Sequence, residues 1–214
     1  MTAGIPSCLA RLYWWSTRRD PVLQGLYIQV IADIASSGRA PRLILDVGAG
    51  PGTLALRLAQ AFPHAHITGV DVSRGMVKIA NRNARRYGLE SRLTFTVADA
   101  ARLPFDDACF DVIVSTMVIP FWKDPRGSLG EIYRCLAIGG SGYVYDLNAD
   151  AADSAEKAFR QTYGRTRAYK YLRLARTRYT MTPAKADGLI SALAPRVATR
   201  EDKDVFLCLR FDKP

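Results

Sequence analysis

The sequence predicts an α/β fold: a doubly wound, mostly parallel sheet of seven strands ending in an antiparallel hairpin. Three observations carry this. Short apolar runs alternate with helix-patterned stretches from about residue 42 to 146, the pattern of parallel strands joined by crossover helices. The first run stops at a glycine-rich turn, Gly48-Ala49-Gly50-Pro51-Gly52. Asp71 and Asp99 stand at the ends of the next two runs, where ligand clefts of open α/β sheets lie.

The elements follow in order. Leu23 to Ile34 is patterned as a helix ahead of the first strand. Leu43 to Val47 is nearly all apolar, as a strand buried on both faces should be. Thr53 to Ala61 reads as a helix through Leu54, Leu56, Leu58 and Ala61, and His66 to Val70 as the second strand. Arg74 to Tyr87 is a helix with Gly88 as its stop. Leu93 to Val97 alternates with period two as a third strand, and Phe110 to Ser115 is a fourth. A helix over Leu129 to Leu136 is closed by Gly139-Gly140, and Gly142 to Leu147 is the fifth strand. Residues 149–179 look helical with a break at Gly164, and a further helix over Thr182 to Leu193 has Thr182 as cap and Pro183 at its first position. Arg196 to Glu201 and Val205 to Arg210 form the hairpin across Asp202-Lys203-Asp204.

Size and composition narrow the class. A chain of 214 residues fits one compact domain, and 49% hydrophobic with 23% charged residues excludes a disordered chain. No apolar run approaches the ~20 residues of a membrane span, and no secretory leader precedes the fold, so the expectation is a cytoplasmic domain. Cys8, Cys109, Cys135 and Cys208 are scattered and lack ligand spacing, which points to reduced thiols and no metal site. The net charge is +10, and nine of the 30 basic residues fall between Lys157 and Lys185 with no acid among them. That leaves 21 basic against 20 acidic elsewhere, so the excess is local. Such a segment attracts acidic molecules, nucleic acid or anionic lipid, or is simply a solvated face.

The turn after the first strand lets backbone approach a ligand, with a helix N-terminus behind it. Its spacing is G-x-G-x-G, with Thr53 where a dinucleotide fingerprint has Gly or Ala, and it lacks a Gly-Lys-Ser/Thr ending. An NAD-dependent reductase or a nucleoside triphosphatase is therefore disfavoured. Asp71 can accept from both hydroxyls of a ribose, and Asp99 from an exocyclic amine, although either residue also suits a plain turn.

The run from Leu43 to Leu147 resembles the core of class I S-adenosylmethionine-dependent methyltransferases, especially the methyltransferase type 11 group with the ubiquinone and menaquinone C-methyltransferases. LDVGAGPGTLALRLA looks like that family's first motif and GVDVSRGMVKIA its second. ADAARLPFDDACFDVIVS looks like its third and fourth, and LGEIYRCLAIGGSGYVYDL its closing segment. The resemblance implies a Rossmann-like fold and S-adenosyl-L-methionine as methyl donor. It assigns Gly48, Ala49, Gly50 and Gly52 to the methionine moiety, with Asp46 near its ammonium group. It assigns Asp71 to the ribose, Val72 and Met76 to the flanks of the adenine, Asp99 and the Ala100 backbone to the adenine edge, and Ser115 to the sulfonium end. Met76 equally suits ordinary core. The implied organisation is one methyltransferase domain: an N-terminal helical lid (1–41), a donor-binding core (42–147), a basic helical insertion or lid (148–182), and a C-terminal helix and hairpin (183–214).

An activated sulfonium needs chiefly placement of the acceptor ~3–3.5 Å away and exclusion of water. No catalytic residue is assigned, and His64 and His66 fall at the entry of the second strand, away from the expected cleft. Ile119-Pro120-Phe121 lacks the signature of amine-methylating nucleic-acid enzymes. Tyr13, Phe121, Trp122, Tyr169 and Arg173 are the candidates for acceptor contact. The expected acceptor is a small or lipid-like molecule with acidic groups near the basic segment. The alternatives are an RNA methyltransferase, suggested by Tyr163, Tyr169, Tyr171 and Tyr179 among basic residues, and a non-catalytic S-adenosylmethionine-binding module.

Overall fold

The computed structural model describes residues 10–38, 40–177, 181–193 and 198–214; Cys8, Tyr179 and Arg196 lie outside them. Its strands are β1 (Leu43–Val47), β2 (His66–Asp71), β3 (Leu93–Val97), β4 (Phe110–Thr116), β5 (Leu136–Leu147), β6 (Ala198–Lys203) and β7 (Phe206–Asp212). Its helices are α1 (Ala10–Thr17), α2 (Pro21–Ser36), α3 (Thr53–Ala61), α4 (Arg74–Arg86), α5 (Pro125–Cys135), α6 (Asp153–Tyr163), α7 (Arg165–Ala175) and α8 (Pro183–Leu193).

The seven strands form one sheet in the order β3-β2-β1-β4-β5-β7-β6. The five strands from β3 to β5 are parallel, while β7 runs antiparallel to both β5 and β6. Chain order therefore reverses between β1 and β4, and the loops leaving these two strands diverge to open a crevice there.

The near-continuous apolar strands are explained by cover on both faces. Ile44, Val112, Val114 and Tyr145 pack with Val30 and Ile34 of α2 and Leu54 and Leu58 of α3. On the other face Leu45, Ile113, Val144, Leu207 and Leu209 meet Leu129 and Ile132 of α5 and Ile190 of α8. The β1 side chains alternate between these faces, so Asp46 points to the α2/α3 side, where it is 1% exposed.

Two expectations need correction. The helix expected over Leu129 to Leu136 begins earlier, at Pro125, because Asp124 caps it by accepting from the Gly127 N–H at 2.9 Å and proline suits the first turn. It also ends sooner, and β5 begins at Leu136. Gly139-Gly140 is thus not a helix stop but part of an irregular stretch of strand, where the pairing jumps from Phe110↔Leu136 to Val112↔Ser141. The hairpin turn is tighter than expected, on Asp204-Val205, because Asp202 and Lys203 pair with Leu207 and Phe206, and Asp204 takes the left-handed region at φ 57°. The break at Gly164 (φ 78°) separates α6 from α7 as the sequence indicates, and Thr182 Oγ1 accepts from the Lys185 N–H at 3.2 Å at the head of α8.

Candidate active site

The glycine turn folds back over the end of β2: the Gly48 and Ala49 N–H groups donate to the Val70 carbonyl at 2.8 and 2.9 Å. Its glycines answer different needs. A Cβ on Gly50 (φ 54°) would stand in open space, whereas one on Gly48 (φ 76°) would lie 2.5 Å from Val118 Cγ1. Gly50 is thus open to an approaching ligand, and Gly48 is packed against the loop after β4. Asn83 of α4 braces the turn by donating to the Pro51 carbonyl at 3.0 Å.

Asp71 ends β2. Its Oδ2 accepts from the Gly50 N–H at 2.9 Å and its Oδ1 from the Ser73 N–H at 2.8 Å, so it ties the glycine turn to the start of α4. Burial raises its carboxyl above the usual range, opposed by those two backbone bonds. Asp46 lies deeper, with Oδ2 buried and lacking a hydrogen-bond partner. Burial, reinforced by the nearby Asp71 charge, pushes its carboxyl up to about 7. Two carboxylates at the bottom of one cleft, one of them orphaned, form a site that favours a cation.

These groups line one cavity of about 320 Å³ at the carboxyl ends of β1, β2 and β4. Asp46, Gly48, Ala49, Gly50, Asp71, Val72, Met76, Asp99 and Ala100 all contribute to it. Thr53 Oγ1, also on the lining, is a second buried polar atom without a partner. The exposed Asp99 accepts from the Ala101 N–H at 3.1 Å. Its loop is braced by Arg134, whose guanidinium donates to the Leu103 and Phe105 carbonyls at 3.2 and 2.9 Å while paired with Glu131 and Asp107.

The opposite wall is the end of β4 and the loop after it, with Thr116, Met117, Val118, Phe121, Trp122 and Lys123. Met117 holds φ 60°, an uncommon conformation outside glycine. The loop is anchored by Asp146, 2% exposed, which accepts from the Ile119 N–H at 3.1 Å and the Leu147 N–H at 2.8 Å. Burial pushes the Asp146 carboxyl up to about 7 against those two bonds.

Helices cover the rest. Tyr13 and Thr17 of α1, Leu23 and Tyr27 of α2, and Lys170, Tyr171 and Leu174 of α7 face the cavity. Asp20 joins them: Oδ1 accepts from the Val22 N–H at 3.0 Å to cap α2, and Oδ2 lies 3.8 Å from Lys170 Nζ. Desolvation raises the Tyr13, Tyr27 and Tyr171 phenols, which keeps them as neutral hydrogen-bonding groups.

Four residues singled out from the sequence do not line the cavity. Ser115 is fully buried, and its Oγ donates to the Val47 carbonyl at 2.7 Å, stitching β4 to β1. Gly52 (φ 80°) packs against β3 and α4, where a Cβ would lie 2.6 Å from Phe95 Cζ. Tyr169 and Arg173 are exposed on α7, and their neighbours Lys170 and Leu174 occupy the lining instead. Tyr13, Phe121 and Trp122, the other acceptor-contact candidates, line the cavity. The groups missed were Tyr27, Thr53, Lys123, Lys170 and Tyr171. The four-residue spacing of Leu23 with Tyr27 and of Lys170 with Leu174 was available as a signal, but not which stripe of each helix faces inward.

A family described as "Methyltransferase domain" matches residues 44–140. The chain is 43% identical over 102 residues to the demethylmenaquinone methyltransferase of Thermus thermophilus, covering 48% of this chain and 46% of that protein. It is 41% identical over 130 residues to the malonyl-[acyl-carrier protein] O-methyltransferase of Geobacter sulfurreducens, covering 61% of this chain and 47% of the relative. The chain thus spans about half the length of each of these curated relatives. In fold it is similar to a crystal structure of a Methanococcus maripaludis protein assigned to the S-adenosyl-L-methionine-dependent methyltransferases. The TM-score is 0.77 at 22% identity, over 100% of this chain and 97% of that one.

Proposed function

We propose, from the premise that residues 44–140 are a methyltransferase domain of the class I S-adenosylmethionine-dependent family, of the ubiquinone and menaquinone C-methyltransferase-like group, that this protein methylates a small or lipid-like acceptor. The observation that carries the reading is the convergence of Asp46, Gly50, Asp71 and Asp99 on one cavity at the sheet's switch point.

The residues present fit S-adenosyl-L-methionine. The orphaned Asp46 Oδ2 and Thr53 Oγ1 offer partners to a polar, cationic tail, and Gly50 leaves open space beside them. Asp71 keeps lone pairs for a ribose diol after accepting its two backbone bonds. Val72 and Met76 would bound the purine, with Asp99 and the Ala100 backbone at its edge. When bound, the donor supplies an activated methyl group.

The protein's part is placement. Asp46 and Asp71 lie where they oppose positive charge, while Phe121, Trp122, Met117 and Leu174 provide an apolar chamber that excludes water from an acceptor. The lid roles of the segments before β1 and after β5 are supported, among the described residues, by the placing of α1, α2 and α7 on the cavity and by the Asp20–Lys170 pair between them. Among the basic segment's described residues only Lys170 lines the cavity, so an acidic group on the acceptor would meet Lys170 or Lys123 rather than Arg173. The acceptor reading is supported by the names of the two relatives, one acting on demethylmenaquinone and one on a malonyl-[acyl-carrier protein]. A cytoplasmic location accords with the free thiols of Cys109, Cys135 and Cys208, and among the described residues no helix is long and apolar enough to cross a membrane.

Calorimetric titration with S-adenosyl-L-methionine tests the reading. Wild type should bind, and Asp99→Ala, an exposed substitution outside the core, should weaken binding about tenfold through the lost charge-assisted bond. A wild-type protein that gives no binding heat and no thermal shift with the donor overturns it.

A further inference from the structure

The outer face of the basic segment, away from Lys170, Tyr171 and Leu174, and the exposed face of α1 do not line the cavity, yet they meet at its rim. Trp15, Ser16, Arg18, Arg19 and Pro21 share a surface depression with Arg167 of α7. The depression adjoins the cavity mouth through Asp20, which borders the depression and pairs with Lys170 on the cavity side. On α7, Arg167, Lys170 and Leu174 fall on one helical stripe, with Tyr169 and Arg173 on the next. Glu156 neutralises Arg160 and Arg176, but among the described residues no carboxylate pairs with Arg18, Arg19, Arg165, Arg167 or Arg173.

The same rim exposes large apolar side chains. Trp15 is 66% exposed, Leu12 one turn before it 63%, Phe121 on the far lip of the cavity 59%, and Leu174 45%. Arg18 lies over the Trp14 ring at 5.0 Å, so its charge stays at the base of this apolar ridge. A solvated basic face has no use for an unpaired tryptophan and leucines beside it. Trp15 and Phe121 could stack on a base, but Leu12 and Leu174 give a nucleic acid nothing to stack on. Aromatic and aliphatic side chains ringed by arginine are suited to the boundary between anionic headgroups and acyl chains.

We propose that this rim, α1 with the 18–20 turn and the outer stripes of α7, docks the protein on an anionic lipid bilayer with the cavity mouth facing the membrane. Trp15 and Leu12 enter the interface, and Arg18, Arg19, Arg167 and Arg173 meet lipid phosphates. The proposal stands on this surface and does not need the methyl-transfer reading to hold.

Co-sedimentation of the full chain with vesicles of phosphatidylcholine alone, or mixed with phosphatidylglycerol, tests it. Binding is expected to the mixed vesicles only and to fall as salt rises. Arg19→Gln and Arg167→Gln should each weaken binding about fivefold, and Trp15→Ser about tenfold. Arg86→Gln, at the far end of α4, should leave it unchanged. Brominated lipid should quench a tryptophan signal that Trp15→Ser removes. S-adenosyl-L-methionine titration of the same variants separates the two readings: retained donor binding with lost vesicle binding supports the rim, and vesicle binding without donor binding leaves docking intact while the function fails. Wild-type protein that stays in the supernatant with mixed vesicles overturns the proposal. So do rim variants that sediment like wild type, or a rim that binds single-stranded RNA and no vesicle.

Discussion

Binding of the donor should be pH-dependent through Asp46. In the free protein this carboxyl is buried, its Oδ2 lacks a partner, and its pKa stands at about 7. A cationic ligand placed beside it favours the ionised form, so binding lowers that pKa and expels a proton wherever the free carboxyl still carries one. With a free value near 7, about three quarters of the carboxyl is ionised at pH 7.5 and about 3% at pH 5.5. If only the ionised form accepts the ligand's charge, affinity should fall about 25-fold between these limits, or ~1.9 kcal/mol. The window stops at pH 7.5 because an α-amino group, with a pKa of roughly 7.7–8.0, is still mostly protonated there and is mostly neutral above that pKa. Calorimetry in buffers of different ionisation enthalpy reads both quantities. At pH 7 the observed heat should report about half a proton released per donor bound. Asp46→Asn should bind more weakly at pH 7.5 and lose most of the slope. An affinity that is flat across the window, or a slope unchanged in Asp46→Asn, would refute the reasoning.

Other outcomes follow from the same geometry. Without ligand, a carboxyl whose folded value is raised contributes stability at low pH that is lost as pH climbs from its unfolded value, ~3.9, through about 7. The stability of Asp46→Asn relative to wild type should therefore rise with pH by at most ~1.4 kcal/mol per unit and level off above 7, measured by urea unfolding. Gly48→Ala meets both a left-handed φ and Val118 Cγ1 at 2.5 Å and should cost about 3 kcal/mol. Gly50→Ala has only the φ to overcome and should cost about 1–2 kcal/mol, its larger effect falling on donor affinity. Ser115→Ala should lower stability by about 1 kcal/mol, the worth of its bond to Val47, with donor affinity unchanged; a large affinity loss would return Ser115 to the ligand site. Arg134→Met should loosen the Asp99 loop, read as faster amide exchange over residues 99–107 and weaker donor binding.

What was legible in the sequence was what neighbours in the chain decide. The alternation of apolar strands and helices from Leu43 onward, the glycine turn, and the acidic residues Asp71 and Asp99 at strand ends are local patterns. Because parallel strands in a doubly wound sheet present their carboxyl ends on one side, those patterns also indicate where the cleft lies. Those patterns place Gly48, Gly50, Asp71 and Asp99 on it, and the family resemblance adds Asp46. The expectations depart from the structure where a local signal has two structural uses, as at Gly139-Gly140 and Asp204, and where a cap lies ahead of the apolar pattern, as at Asp124 before α5.

Tertiary structure decided the rest, because a side chain's direction depends on which stripe its helix turns inward and which strand lies beside it. Each residue around a helix rotates by about 100°, so composition could nominate α7 for the cavity yet select Tyr169 and Arg173 where Lys170 and Leu174 face it. Ser115 sits at the predicted strand end, but only the pairing of β4 with β1 shows its hydroxyl committed to the Val47 carbonyl. The orphaned oxygen of Asp46, the anchoring of the acceptor wall by Asp146, and the meeting of Trp15 with Arg167 join residues distant in the chain. Burial and long-range pairing are properties of the packed chain, and no local pattern encodes them.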